Sequence, residues 1–186
     1  MKKYVLALVV ALLSSAQAYA EGGLEKSFEI GFSLGQARHS GYLSEKDSTG
    51  LYDLSVRISP MTGKSFFEVF MFGTKTDAST QFGFSQSQEM NVSGVGAGPV
   101  VNIANFDALS LDLGVGFAKV EASAKDPVKN DKTFGFFYWV GLAQYQISEK
   151  WGAYIQSRWM NLKQTNNDDD SFFTLWNNSL GVAYKF

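Results

Sequence analysis

The sequence predicts an all-β fold, an eight-stranded antiparallel up-and-down transmembrane β-barrel preceded by a cleaved signal peptide. Three observations predict it. Beyond the N-terminal segment no unbroken apolar run approaches the roughly 20 residues that cross a bilayer as a helix. The chain divides instead into about eight segments of about ten residues in which apolar side chains alternate with small or polar ones, the period of a strand with one face in lipid. It closes on Leu180-Gly181-Val182-Ala183-Tyr184-Lys185-Phe186, an alternating strand with an aromatic at its end.

The N-terminus has Lys2 and Lys3, an apolar run from Tyr4 to Leu13, and Ala18-Tyr19-Ala20 before Glu21. A basic start, a short apolar core and an A-x-A site make a secretory signal. Residues 1–20 are therefore expected to be removed, leaving 21–186 as one barrel domain. Without Lys2 and Lys3, 14 basic residues face 18 acidic ones, a formal charge of −4. That balance argues against nucleic acid, which requires a basic stripe. Cysteine is absent, so no disulfide or thiolate site holds this exported chain. A closed barrel needs neither, because its backbone hydrogen bonding is complete all round.

The first strand, about residues 27–38, puts Phe28, Ile30, Phe32 and Leu34 on one face and Glu29, Gly31, Ser33 and Gly35 on the other. The second continues with Tyr52, Leu54, Val56 and Ile58 outward against Asp53, Ser55 and Arg57 inward, ending at the turn Pro60-Met61-Thr62-Gly63. In the third, Phe67, Val69 and Met71 face lipid and Phe66, Glu68 and Phe70 face inward. The fourth, about 89–101, carries Gly94, Gly96 and Gly98 on one face, and its orientation is open; inward glycines would make room for the inward Phe side chains of strand three. The fifth alternates Leu109, Leu111, Leu113, Val115 and Phe117 with Ser110, Asp112, Gly114, Gly116 and Ala118.

The sixth strand, about 133–147, has Gln144 and Gln146 inside and Trp139, Ala143 and Tyr145 outside. In the seventh, Trp151, Ala153, Ile155 and Trp159 face out against Tyr154, Gln156 and Arg158. The eighth places Trp176, Leu180, Val182, Tyr184 and Phe186 on lipid. Trp139, Trp151, Trp159 and Trp176 are expected in aromatic girdles, where indoles favour the membrane interface. Longer connections near 39–50, 74–88, 121–132 and 161–171 alternate with short ones, the pattern of extracellular loops and periplasmic turns. A soluble barrel of the lipocalin kind would have the opposite polarity, apolar inside and polar outside.

At its closing strand, Ser179 to Phe186, and in the segment Tyr145-Gln146-Ile147-Ser148-Glu149-Lys150-Trp151, the chain resembles the small outer-membrane barrels of the OmpA transmembrane-domain, OmpX/Ail and opacity-protein superfamily. The resemblance implies a bacterial outer-membrane location and passage through the barrel-assembly machinery, with Tyr184 and Phe186 as the signal recognised in transit. An interface anchor is the other role open to Phe186, and both can hold.

An eight-stranded interior is about wide enough for side chains alone. The inward charges Glu29, Asp53, Arg57, Glu68, Asp112 and Arg158 are expected to fill it as a network, with Glu29 and Glu68 near the level of Arg57. Such a network acts as a plug, or as a gateable ion path if its partners exchange. Catalysis has little to build on: the only histidine, His39, has Ser40, Ser44, Glu45 and Asp47 nearby in what is expected to be a loop, and no lipid A deacylase or palmitoyltransferase motif is present. Gly94-Val95-Gly96-Ala97-Gly98 is followed by no helix and is no nucleotide loop. Asp168-Asp169-Asp170 suits a hard cation or a solvated loop tip. The expected function is structural or surface-interactive, without cofactor or enzymatic activity, in a monomer whose loops contact lipopolysaccharide, host surfaces or phage. A narrow channel for ions or small solutes is the alternative, and a lipid-modifying enzyme a distant third.

Overall fold

Alternation becomes eight strands in the computed structural model, which describes residues 27–41, 49–59, 65–78, 88–124, 132–164 and 172–186. They are β1 (Ser27–Gly41), β2 (Thr49–Ser59), β3 (Ser65–Ala78), β4 (Gln88–Phe106), β5 (Leu109–Ala124), β6 (Lys132–Gln146), β7 (Trp151–Gln164) and β8 (Phe172–Lys185). Each pairs antiparallel with its sequence neighbour, and β8 pairs with β1 to close the barrel. The signal segment, the turn 60–63 and the acidic run 168–170 lie outside the described residues.

The register fixes the tilt. From Ser65 the paired residues run Val101, Leu113, Gly141, Ser157, Asn178, Gln36 and Gly50. One step beyond the Leu51–Thr74 pair the row returns to β3 at Lys75, ten residues further on. Ten residues at ~3.3 Å against eight strands at ~4.8 Å incline the strands by about 41°. At that tilt about ten residues cross a 25 Å apolar band.

The strands are longer than this, from 11 residues in β2 to 19 in β4. The segments 39–41, 74–78, 121–124 and 161–164, expected in loops, continue the wall, and His39 pairs in β1 with Leu175. Their polar composition suggested loops. A strand standing above the bilayer tolerates polar residues on both faces and still satisfies its backbone by pairing. β4 also overruns its expected end at residue 101, with a register shift between Asn102 and Ala104. It turns at Asp107-Ala108, with Asp107 in the left-handed region at φ 50°, a conformation short polar side chains tolerate.

Outward positions carry Phe32, Leu34, Phe67, Leu113, Phe117, Ile155, Leu180 and Val182, all exposed. Val56 keeps the outward phase but is buried between its cross-strand partners Ile30 and Val69. β4 turns its glycines inward: a Cβ at Gly94 would overlap the Phe72 ring and one at Gly96 would stand 2.5 Å from that of Phe70. The absence of side chains on β4 is thus the space that β3 fills with two phenyl rings.

Candidate functional site

The interior has two layers of different chemistry. Toward the periplasmic end, register sets Glu29, Arg57 and Glu68 directly side by side across β1, β2 and β3. Arg57 Nη1 donates to Glu29 Oε1 at 2.6 Å and, across the lumen, to Gln144 Oε1 at 3.0 Å. Gln144 Nε2 donates in turn to Glu29 Oε2 at 3.0 Å. The Arg57 guanidinium lies 4.6 Å from the Tyr154 ring centroid and 5.5 Å from that of Phe66, a cation–π setting that fixes its plane.

Arg158 forms the second half of the network. It reaches from β7 across the lumen to Asp53 on β2 and to Glu68 Oε2, the latter at 3.0 Å, and its side chain is 0% exposed. Its guanidinium stacks 3.5 Å from the centre of Phe70. Glu68 also stands 3.5 Å from Arg57 Nε, so one carboxylate joins the two arginines. Three carboxylates thus surround two guanidiniums, and each arginine is buried with charged partners, the condition under which burial of charge is tolerated.

Asp112 departs from the expected network. It sits on β5 near the periplasmic rim and accepts from Asn102 Nδ2 at 2.7 Å and Ser110 Oγ at 3.4 Å, with neither arginine hydrogen-bonded to it among the described residues. Asn102 adjoins the β4 register shift and also donates to the Ala104 and Leu111 carbonyls. Asp112 therefore holds an irregular strand end, because its position on β5 brings it opposite Asn102 and not opposite a cation.

Toward the extracellular side the filling turns apolar. Phe70, Phe72, Val92, Val120, Met160 and Leu175 pack together with Tyr138 as a buried cluster. Phe70 and Phe72 lie nearly parallel at 6.3 Å, and the edge of Tyr138 meets Phe70 at 4.9 Å. This layer was not foreseen from the sequence. Its signal is the inward phase of Phe72, Val92, Val120, Met160 and Leu175, each apolar, whereas inward positions nearer the periplasmic end of β3, β5, β7 and β8 include Glu68, Asp112, Arg158 and Ser179.

On the outer wall Trp139, Trp159 and Trp176 are direct neighbours across β6, β7 and β8, and Arg38 on β1 continues the row. Trp151 lies at the opposite end, 4.9 Å edge-on to Tyr184. Tyr184 packs on Phe186 at 4.9 Å, and Phe186 on Phe28 at 5.7 Å. The seam is completed by the Phe186 amide, which donates to the Phe28 carbonyl at 2.9 Å. Ser44, Glu45 and Asp47 lie outside the described residues.

The family model described as outer membrane protein beta-barrel domain matches residues 5–186. No curated protein sequence matches the chain. Among solved structures, Neisserial surface protein A superposes with a TM-score of 0.65 at 16% identity, covering 86% of this chain and 97% of that one. Ail, the attachment invasion locus protein of Yersinia pestis, solved in complex with the heparin analogue sucrose octasulfate, gives 0.60 at 16% identity over 88% and 100%. OprG of Pseudomonas aeruginosa gives 0.60 at 13% identity over 86% and 95%.

Proposed function

Because this chain belongs to the outer-membrane β-barrel protein family and is integral to the bacterial outer membrane, we propose that it is a closed, non-catalytic barrel whose work is done at the cell surface. The carrying observation is the apolar layer: Phe70 and Phe72 are each 2% exposed, and Tyr138, Met160 and Leu175 are wholly buried in the extracellular half of the lumen. An ion crossing this layer would meet few polar groups, Thr74 and Asn177 among them, and would shed most of its hydration at high cost. The extracellular strand ends and loops are then the surfaces that meet lipopolysaccharide, host surfaces or phage. The attachment named for Ail, a structural relative, is one such role.

A narrow channel is the second reading, favoured by one observation: Glu68 is shared by both arginines, and Arg158 Nε, Tyr138 Oη and the Asn177 amide, all buried, have no hydrogen-bond partner among the described residues. Exchange of partners there would open a polar path as far as the Phe70–Phe72 layer. Single-channel recording of the folded mature chain in a planar bilayer separates the two. Silence from protein with the heat-sensitive gel mobility of a folded barrel is expected, while loop deletion abolishes surface binding. Discrete steps that respond to Arg57 substitution would overturn the closed reading. Tyr184 and Phe186 are proposed as the assembly signal, and deletion of Phe186 is expected to slow delivery to the membrane in cells.

A further inference from the structure

The outer wall carries a polar row inside its lipid-facing band. On β7 the outward positions run Trp151, Ala153, Ile155, Ser157, Trp159, and on β8 they run Tyr184, Val182, Leu180, Asn178, Trp176. Ser157 and Asn178 are paired, Asn178 pairs onward with Gln36 of β1, and Arg38 stands beside Trp176 in the next outward row. Apolar neighbours flank Ser157 and Asn178 on both sides along their strands. They lie six residues beyond Trp151 and Tyr184, about 15 Å along the barrel axis at this tilt, within the roughly 25 Å apolar band. β5, on the other wall, runs Leu109, Leu111, Leu113, Val115 and Phe117 before its first outward charge at Lys119.

Among the described residues three of these four side chains lack partners. Asn178, Gln36 and Arg38 are exposed, and no hydrogen bond or ion pair joins their side chains to the described residues. Ser157 Oγ accepts from the Trp176 indole at 2.7 Å, which ties one girdle tryptophan down and leaves the hydroxyl proton free to donate. Beside Ser157, Gly141 presents no side chain, and a Cβ there would meet nothing nearer than Leu113 at 3.8 Å. Amides facing hydrocarbon without partners are costly, so this shallow polar step needs a polar occupant.

We propose that this step on β7, β8 and β1 binds the headgroup of a phosphorylated glycolipid of the outer leaflet. The vertical order fits that chemistry. Arg38 lies on the extracellular side, where a sugar phosphate sits and where a guanidinium offers paired donors. Gln36, Asn178 and Ser157 lie below it, at the depth of the amide and hydroxyl groups that link acyl chains to the sugars. Trp159 and Trp176 stand in the next outward row, aromatic neighbours of the kind sugar rings pack on. The inference deepens the lipopolysaccharide contact of the proposed function by moving it from the loops to a defined face of the wall.

The test uses the mature chain refolded into phosphatidylcholine vesicles doped with lipid A and extracted in mild detergent, with bound lipid A counted by native mass spectrometry. Wild type is expected to retain one lipid A per barrel. Gln36→Leu/Asn178→Leu is expected to lose about tenfold in retention, two hydrogen bonds' worth, while folding as well as wild type, since leucine suits a lipid-facing site. Arg38→Gln is expected to lose the preference for lipid A over its dephosphorylated form. Equal retention by the double variant, no retention by wild type, or a wild-type dimer that the double variant disperses would each overturn the proposal. Silent conductance is recorded on the same wild-type protein, so failure of this site and failure of the closed-barrel reading are distinguishable.

Discussion

The two halves of the lumen solve one problem with opposite chemistry. Two arginines and their carboxylates run from the periplasmic end to the level of Phe70 and Phe72, and from there outward phenyl rings and aliphatic side chains predominate. In the charged half each group depends on a named partner, so removing one strands another. In the apolar half groups depend on shape, so removing one leaves a hole whose cost the neighbours can share by relaxing. The charged layer thus specifies which strands face one another, and the apolar layer seals.

Four substitutions test that contrast, all read as urea unfolding midpoints of protein refolded in vesicles. Arg158→Ala has the largest expected effect, about 3–5 kcal/mol of destabilisation, because Asp53 and Glu68 are left buried without their cation. If partner loss is the cause, Arg158→Met combined with Asp53→Asn and Glu68→Gln recovers most of it; a triple variant as unstable as the single would assign the effect to lost packing on Phe70. Phe72→Ala follows at about 3 kcal/mol, the cost of a core cavity, and a change below about 1 kcal/mol would show that the apolar layer is loosely packed. Arg57→Ala is expected to cost about 2 kcal/mol, less than Arg158→Ala because Glu29 is 17% exposed and water takes over part of the arginine's role. An unchanged midpoint would remove Arg57 from the network. Asp112→Asn is the smallest, under about 1 kcal/mol, since the amide still accepts from Asn102; an effect as large as that of Arg57→Ala would mean that Asp112 belongs to the arginine system after all.

The same contrast marks what was legible in the chain. The Glu29, Arg57, Glu68 level follows from counting across two hairpins, because register between neighbours is set locally. The reach of Arg158 to Asp53 and Glu68 crosses from β7 to β2 and β3. It depends on the ten-residue shear of the whole barrel, which no single hairpin reveals. The outward faces of β1, β5, β7 and β8 were readable because apolar residues alternate along most of each strand, interrupted on β7 and β8 at Ser157 and Asn178 and on β1 from Gln36. The apolar seal was not, since an inward Val92 or Met160 looks like any lipid-facing residue until the phase of its strand is fixed. β4 is the clearest case: its glycines acquire a direction only once Phe70 and Phe72 occupy the space they leave. His39 was misplaced because polar composition marks a loop and an emergent strand equally well.

The seam between β1 and β8 carries a consequence in time. Ser33 and Ser179 share a hydrogen bond across 146 residues of chain, and every pair along that seam spans a similar stretch. Contacts so remote in sequence are slow to find, and closing so long a loop costs entropy before any pair offsets it. Neighbouring hairpins can form early, yet the sheet keeps two raw edges until its last strand is synthesised, delivered and docked. An open eight-stranded sheet with edges like these is an aggregation template. The molecule therefore spends its most vulnerable interval as an unclosed ribbon, and the speed of closure matters to its survival beside the stability it has afterwards.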